Sequence, residues 1–173
     1  MRARSFSHVG ITVADFNKTV KFYWEVFGCP LVAAGDTPPS RIRAFFGVDP
    51  KDAPDPTLKI GWIRAPGGGV LEIFEFKPQL PLEPITWHRV GITHISFNVK
   101  NCHKWHDYLV SKGVEIVSKP EQSPRGHWFF FVKDMDGNLI ELIDLRIRHY
   151  VLNWLGPLGG WLFRRGMYKR YYE

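Results

Sequence analysis

The sequence predicts an α+β fold made of two copies of one βαβββ unit, and three observations carry that prediction. The first is a repeated strand: Ser7-His-Val-Gly-Ile-Thr-Val13 matches Thr93-His-Ile-Ser-Phe-Asn-Val99 in placing a small hydroxyl residue and a His before an alternating run. Each strand then leads into an amphipathic stretch that stops at a glycine, Asp15 to Gly28 and Asn101 to Gly113. His8 precedes Gly28 by 20 residues, and His94 precedes Gly113 by 19. Finally, both halves close on a glycine turn and an apolar strand with an acid four residues past the glycine: Gly68-Gly-Val-Leu-Glu72-Ile-Phe and Gly137-Asn-Leu-Ile-Glu141-Leu-Ile. Self-similarity at this length marks a duplicated structural unit.

The first copy reads as strand 5–13, helix 15–27 and strands 30–33, 57–65 and 70–76. The second reads as strand 91–99, helix 101–112 and strands 114–117, 127–133 and 138–145. Helices follow from period-3.6 apolar spacing and strands from period-2 alternation. Asp15 and Asn101 suit N-caps, because a short side-chain oxygen can accept an otherwise unpaired N–H of the first turn. Gly28 and Gly113 suit the left-handed residue that ends a helix. Pro66-Gly-Gly-Gly69 and Asp136-Gly137 suit hairpin turns that need positive φ. The organisation expected is one domain over 1–145, with module one at 5–76, a Pro-rich linker at 77–90 and module two at 91–145. Residues 146–173 form an extension, and a Pro- and Asp-rich insert, Asp36 to Pro56, interrupts module one.

Alternation gives the first functional signal. In strand 7–13, Val9, Ile11 and Val13 share one face, and His8, Gly10 and Thr12 share the other. In 93–99, Ile95, Phe97 and Val99 oppose His94, Ser96 and Asn98. The apolar faces pack on helices. The opposite faces, small and polar with one His each, suit the lining of a concave site.

Composition narrows the classes. The chain has 173 residues, 45% hydrophobic and 23% charged, enough apolar material for a core. The formal charge of +6 is concentrated in 146–173, where Arg146, Arg148, Arg164, Arg165, Lys169 and Arg170 face only Glu173, a net of +5. The other 145 residues carry 17 basic and 16 acidic side chains. Such a near-neutral body does not present a nucleic-acid-binding surface. Two cysteines, Cys29 and Cys102, form no CxxC motif or disulfide framework. The N-terminus lacks the apolar stretch of a secretory signal and no run is long enough to span a bilayer, so the expectation is a cytoplasmic protein with no transmembrane segment.

On SHVGITVADFNKTVKFYWEVFG, the His94 strand and FFFVKDMDGNLIEL, the chain resembles the vicinal oxygen chelate superfamily, which includes glyoxalase I, methylmalonyl-CoA epimerase, extradiol dioxygenases and fosfomycin-modifying enzymes. The resemblance covers roughly residues 5–145. It implies paired βαβββ modules curled into a cup-shaped mixed sheet, with His8 and Glu72 from module one and His94 and Glu141 from module two as ligands of one divalent metal. The chemistry of the residues agrees: two imidazoles and two carboxylates suit Ni, Zn, Co, Mn or Fe as divalent ions, with no thiolate needed. A bound ion would polarise a substrate carbonyl and stabilise an enolate, and a carboxylate, Glu141 or Glu72, would act as base. The residues leave that choice open.

Several residues compete for roles. Glu75 rivals Glu72 within LEIFEF, but the glycine turn favours Glu72 and places Glu75 on the other face. His127, after Ser-Pro-Arg-Gly, is a candidate second acid/base. His88, His103, His106 and His149 have no repeat partner and are expected to be solvated, and Arg43, Lys59 and Arg125 read as surface charge. The aromatic and basic tail, lying outside the resembling region, is expected to be an arm packing on a second subunit or over the site. Its Gly156-Pro157 and Gly159-Gly160 should break any long helix.

The expected function is a metal-dependent isomerase, epimerase or lyase acting on a small carbonyl compound through an enolate, in a homodimer. Glu72 decides among the superfamily's chemistries. Extradiol dioxygenases leave that position non-ligating for catechol and O₂, whereas a fourth ligand matches the glyoxalase I arrangement. Methylmalonyl-CoA epimerases typically place Gln there. An extradiol-type Fe(II) dioxygenase and a non-catalytic aromatic-ligand-binding or resistance protein are the alternatives. The insert 36–56, with Pro38-Pro39 and Ala44-Phe-Phe46, suits a lid selecting something bulkier than methylglyoxal.

Overall fold

The computed structural model describes residues 3, 5–80, 86–88 and 90–171. Part of the expected linker (81–85 and 89) and the last two residues of the tail lie outside the described residues. In chain order the elements of the first half are β1 (Val9–Thr12), α1 (Phe16–Phe27), β2 (Leu31–Thr37), α2 (Pro39–Phe46), β3 (Thr57–Arg64) and β4 (Val70–Lys77). The second half contains β5 (His94–Asn98), α3 (Cys102–Ser111), β6 (Glu115–Ile116), β7 (Glu121–Gln122), β8 (Trp128–Lys133) and β9 (Leu139–Asp144). The α+β class and the repeated βαβββ order are those the sequence predicts.

Two compact units result. One contains the described residues up to Leu80 together with Asp134–Gly137; the other contains Thr86–Lys133 and the chain from Asn138 onward. In the first, a four-stranded sheet runs β1-β4-β3-β2, with β1 parallel to β4 and the remaining pairs antiparallel. The second repeats the order as β5-β9-β8-β6, again with a parallel first pair, and β7 adds to β8.

The caps and turns act as expected. Asp15 accepts the Lys18 N–H at 3.0 Å and Asn101 accepts that of Lys104 at 3.1 Å. Gly28 closes α1 at φ 67°, a left-handed conformation that costs glycine little. One face of the first sheet packs on α1. Gly61 lies under the Phe16 ring so closely that a Cβ there would stand 2.5 Å from Phe16 Cζ. Tyr23, fully buried on α1, donates its hydroxyl to Asp134 Oδ2 at 3.1 Å, which fixes the tip of the β8–β9 hairpin within this unit. In the second unit, Leu109 and Cys102 of α3 are buried with Phe130, Ile140 and Leu142.

Several regions differ from the sequence reading, among them β2, expected at 30–33 but running Leu31–Thr37, and β7, which that reading lacks. The insert contains helix α2, because Pro39 occupies its first turn, where a missing N–H costs nothing, and Gly47 ends it at φ 63°. The opening strands are shorter than expected, Val9–Thr12 and His94–Asn98. The tail is helical through its glycines: a turn at Arg148–Tyr150, a π-helical turn at Val151–Leu155 and a helix at Gly156–Arg165. Pro157 again sits in a first helical turn, so it does not interrupt the helix that follows. No helix among the described residues is long and apolar enough to cross a membrane.

Candidate metal centre

Register decides which side chains share a face. Gly10 pairs with Glu72 and Thr12 with Phe74, and across the hairpin Trp62 pairs with Glu72 and Ile60 with Phe74. His8, two residues before Gly10, therefore shares its face with Glu72, Phe74 and Trp62. His8 Nε2 lies 3.0 Å from Glu72 Oε2. The second unit repeats this. Ser96 pairs with Glu141 and Phe131 with Glu141, and His94 Nε2 lies 3.7 Å from Glu141 Oε2.

The surroundings of each pair are also repeated. Ser7 Oγ lies 3.0 Å from His8 Nδ1, and Thr93 Oγ1 lies 2.9 Å from His94 Nδ1. A hydroxyl at Nδ1 sets the ring orientation and leaves Nε2 toward the carboxylate. Glu72 Oε1 accepts the Trp62 indole N–H at 2.8 Å, and Glu141 Oε2 accepts the Ser96 hydroxyl at 2.6 Å. Both Glu side chains are 17% exposed, while His8 and His94 are 35% and 31% exposed. The donors are held by the fold yet open to a ligand.

These spacings fit ligation. Donors about 2.1 Å from one ion lie about 3.0 Å apart at a right angle and about 3.6 Å apart near 120°. The structure pairs His8 with Glu72 in the first unit and His94 with Glu141 in the second; no group of three or more His, Cys, Asp or Glu suited to a metal occurs among the described residues. Cys29 and Cys102 are buried free thiols pushed up to about 11 by burial. They stay protonated at neutral pH, which suits a donor set of N and O.

Glu75 lies on the α1 face, accepting the Phe16 N–H at 2.8 Å and pairing with Lys77 at 2.7 Å. Burial pushes its carboxyl up, but Lys77 and the Phe16 N–H outweigh that and hold it low. Lys59 also lies toward α1, 5.4 Å from the Phe16 ring centre, and Arg43 donates to the Pro54 carbonyl. His127, just before β8, shares the face of Phe129 and Glu141 but stands four residues from Phe131, about 13 Å at the usual strand rise. Its Nδ1 is buried with no hydrogen-bond partner. His106 is half-buried against Phe130, so its solvated reading is corrected, and His103 packs its ring 4.6 Å from Trp128.

Sequence reasoning missed Trp62 and linked Ser96 to nothing. The signal for Trp62 is the hairpin register, since the glycine turn sets Trp62 opposite Glu72. The insert has a further role. Phe46 of α2 packs on Phe74 and Phe76, ring centres 5.8 and 5.6 Å away, on the face that carries Glu72. Beside this aromatic cluster is a cavity of about 790 Å³, lined by Thr12, Val13, Phe46, Ala53, Phe76 and Asp136 among others.

The chain belongs to the Glyoxalase/Bleomycin resistance protein/Dioxygenase superfamily, whose family model matches residues 5–142. Among characterised relatives, it is 31% identical over 151 residues to lactoylglutathione lyase of Schizosaccharomyces pombe, covering 83% of this chain and 48% of that protein. Glyoxalase I of Saccharomyces cerevisiae is 32% identical over 148 residues, covering 79% of this chain and 44% of that protein. The chain thus spans about half the length of these two relatives. Of solved structures, a glyoxalase family protein from Bacillus cereus superposes with a TM-score of 0.70 at 18% identity, covering 83% of this chain and 95% of that one. That likeness is one of fold.

Proposed function

We propose that the protein is a metal-dependent isomerase, epimerase or lyase of the glyoxalase type, in which His8, Glu72, His94 and Glu141 bind one divalent ion and the substrate is a carbonyl compound. The observation that carries this reading is the repeated hydroxyl–His–Glu arrangement, with the same atoms in the same order in both units. Neither His–Glu pair lies in a buried core, since both imidazoles and both carboxylates are partly exposed. The likeness to lactoylglutathione lyase supports the lyase side of the reading.

When bound, a divalent ion at these residues polarises a carbonyl and stabilises negative charge on its oxygen. The chain's own groups do the rest. Glu141 or Glu72 takes the proton from the carbon beside the carbonyl, giving an enolate, and returns it elsewhere on the same substrate. Trp62 holds Glu72 Oε1 and leaves Oε2 to His8, whereas Ser96 holds Glu141 Oε2, the oxygen facing His94. His127 is the second acid/base group for a substrate that extends along the sheet face. The cavity beside Phe46 and Phe76 receives an apolar or aromatic part larger than the methyl group of methylglyoxal. A cytoplasmic homodimer completes the reading.

Metal content and proton transfer test it separately. Protein purified from metal-replete medium should hold a stoichiometric divalent ion, and chelation should remove carbonyl turnover. Glu141→Gln should slow deuterium exchange beside a substrate carbonyl by at least about a hundredfold. A metal-free preparation whose ligand binding ignores chelator would refute the metalloenzyme, and normal exchange in Glu141→Gln would reassign the base.

A further inference from the structure

The tail is unused by the reading above and has an unusual surface. None of its residues from Arg146 to Tyr171 is buried. Thirteen large apolar or aromatic side chains are exposed there, Trp154 at 81% and Leu152 at 61% among them. In the helix Gly156–Arg165, Leu158, Trp161, Leu162 and Arg165 recur at three- and four-residue spacing and so share a face. The Arg165 guanidinium lies 3.9 Å from the centre of the Trp161 ring. From Arg146 to Tyr171 there are six Arg or Lys and no Asp or Glu, two near the start of the helical stretch and four at its end.

We propose that this tail is an interfacial segment that seats the protein on an anionic lipid surface. Exposed Trp, Tyr and Leu place their apolar bodies below the headgroups, and tryptophan and tyrosine rings favour that depth. Arginine and lysine reach from the same segment to lipid phosphates. Charge selects lipid over a second copy of this chain. The body of such a copy is near neutral, with 17 basic and 16 acidic side chains, and its own tail is equally basic, so the cations would meet no net opposite charge, which an anionic lipid surface supplies. The helix lies along the surface and does not cross it: it is ten residues long, and its last turn carries Arg164 and Arg165.

The full-length protein is the probe, mixed with vesicles of phosphatidylcholine alone or of equal parts phosphatidylcholine and phosphatidylglycerol. Binding to the anionic vesicles should exceed binding to neutral ones by at least about tenfold and fall in high salt, with a blue shift of tryptophan emission. Joint substitution of Leu158, Trp161 and Leu162 by Ser, or of Arg164, Arg165, Lys169 and Arg170 by Gln, should abolish binding while circular dichroism stays unchanged. Equal affinity for both vesicle types, or no binding to either, overturns the proposal. So does sedimentation showing that the Ser variant instead dissociates a dimer. None of these readouts depends on the catalytic reading.

Discussion

Trp62 shows how one hydrogen bond can set the direction of a carboxylate. Its indole N–H holds Glu72 Oε1, so Oε2 is the oxygen left beside His8 Nε2. Partners of this kind raise metal affinity by restricting the ligand to its productive rotamer. Trp62→Phe keeps the ring and removes the donor, and should weaken divalent-ion binding about ten- to a hundredfold in a competition titration with a chromogenic chelator. An unchanged affinity would show that the bond positions nothing. The Ser96 hydroxyl holds Glu141 differently: it bonds Oε2, the oxygen that faces His94, and reaches it from the strand parallel to β9 and not across the hairpin.

At the scale of elements, the contact between α1 and the first sheet is set by a missing side chain. Gly61 of β3 is buried beneath the Phe16 ring, and an added Cβ would stand 2.5 Å from Phe16 Cζ and 3.0 Å from Leu31 Cδ1. Gly61→Ala should therefore force Phe16 outward and cost about 1–3 kcal/mol, read as a lower midpoint in urea with unchanged secondary structure. A wild-type midpoint would mean that α1 shifts freely. The same scale shows why α2 was not legible. Pro38-Pro39 reads as a breaker in isolation, yet proline in the first helical turn loses no bond. Burial of Ile42 and the packing of Phe46 on Phe74 and Phe76 make eight residues of modest helix propensity worth ordering.

Across the whole molecule, the tip of the β8–β9 hairpin, Asp134–Gly137, belongs to the first unit although its strands belong to the second. Tyr23 holds Asp134, and the Ala14 N–H reaches Asp136 Oδ1 at 3.3 Å. Asp136 Oδ2 is buried without a partner, and burial pushes this carboxyl above its ordinary value of 3.8. A carboxyl raised in the folded state favours folding when protonated, and that advantage is lost as pH rises through the raised folded value. Asp136→Asn keeps the Oδ1 acceptor and removes the charge. Its melting temperature should exceed that of the parent at neutral pH, with the gain fading toward pH 3.8 and vanishing below it. A gain independent of pH would place the effect elsewhere.

Much of this protein can be read along the chain, because period and turn chemistry are local. The strands, both principal helices with their Asp15 and Asn101 caps, and the equivalence of His8 with His94 and of Glu72 with Glu141 follow from spacing within a few residues. The facing of Glu75 toward α1 follows from strand alternation alone. What tertiary structure decided is everything that depends on register between segments: Trp62 on Glu72, Ser96 on Glu141, α2 over Phe74 and the hairpin tip on Tyr23. Those partners are ten to more than a hundred residues apart in sequence for Trp62 and Tyr23 respectively. No local propensity encodes such pairings; they form because two surfaces that bury each other bring distant polar groups within hydrogen-bond reach.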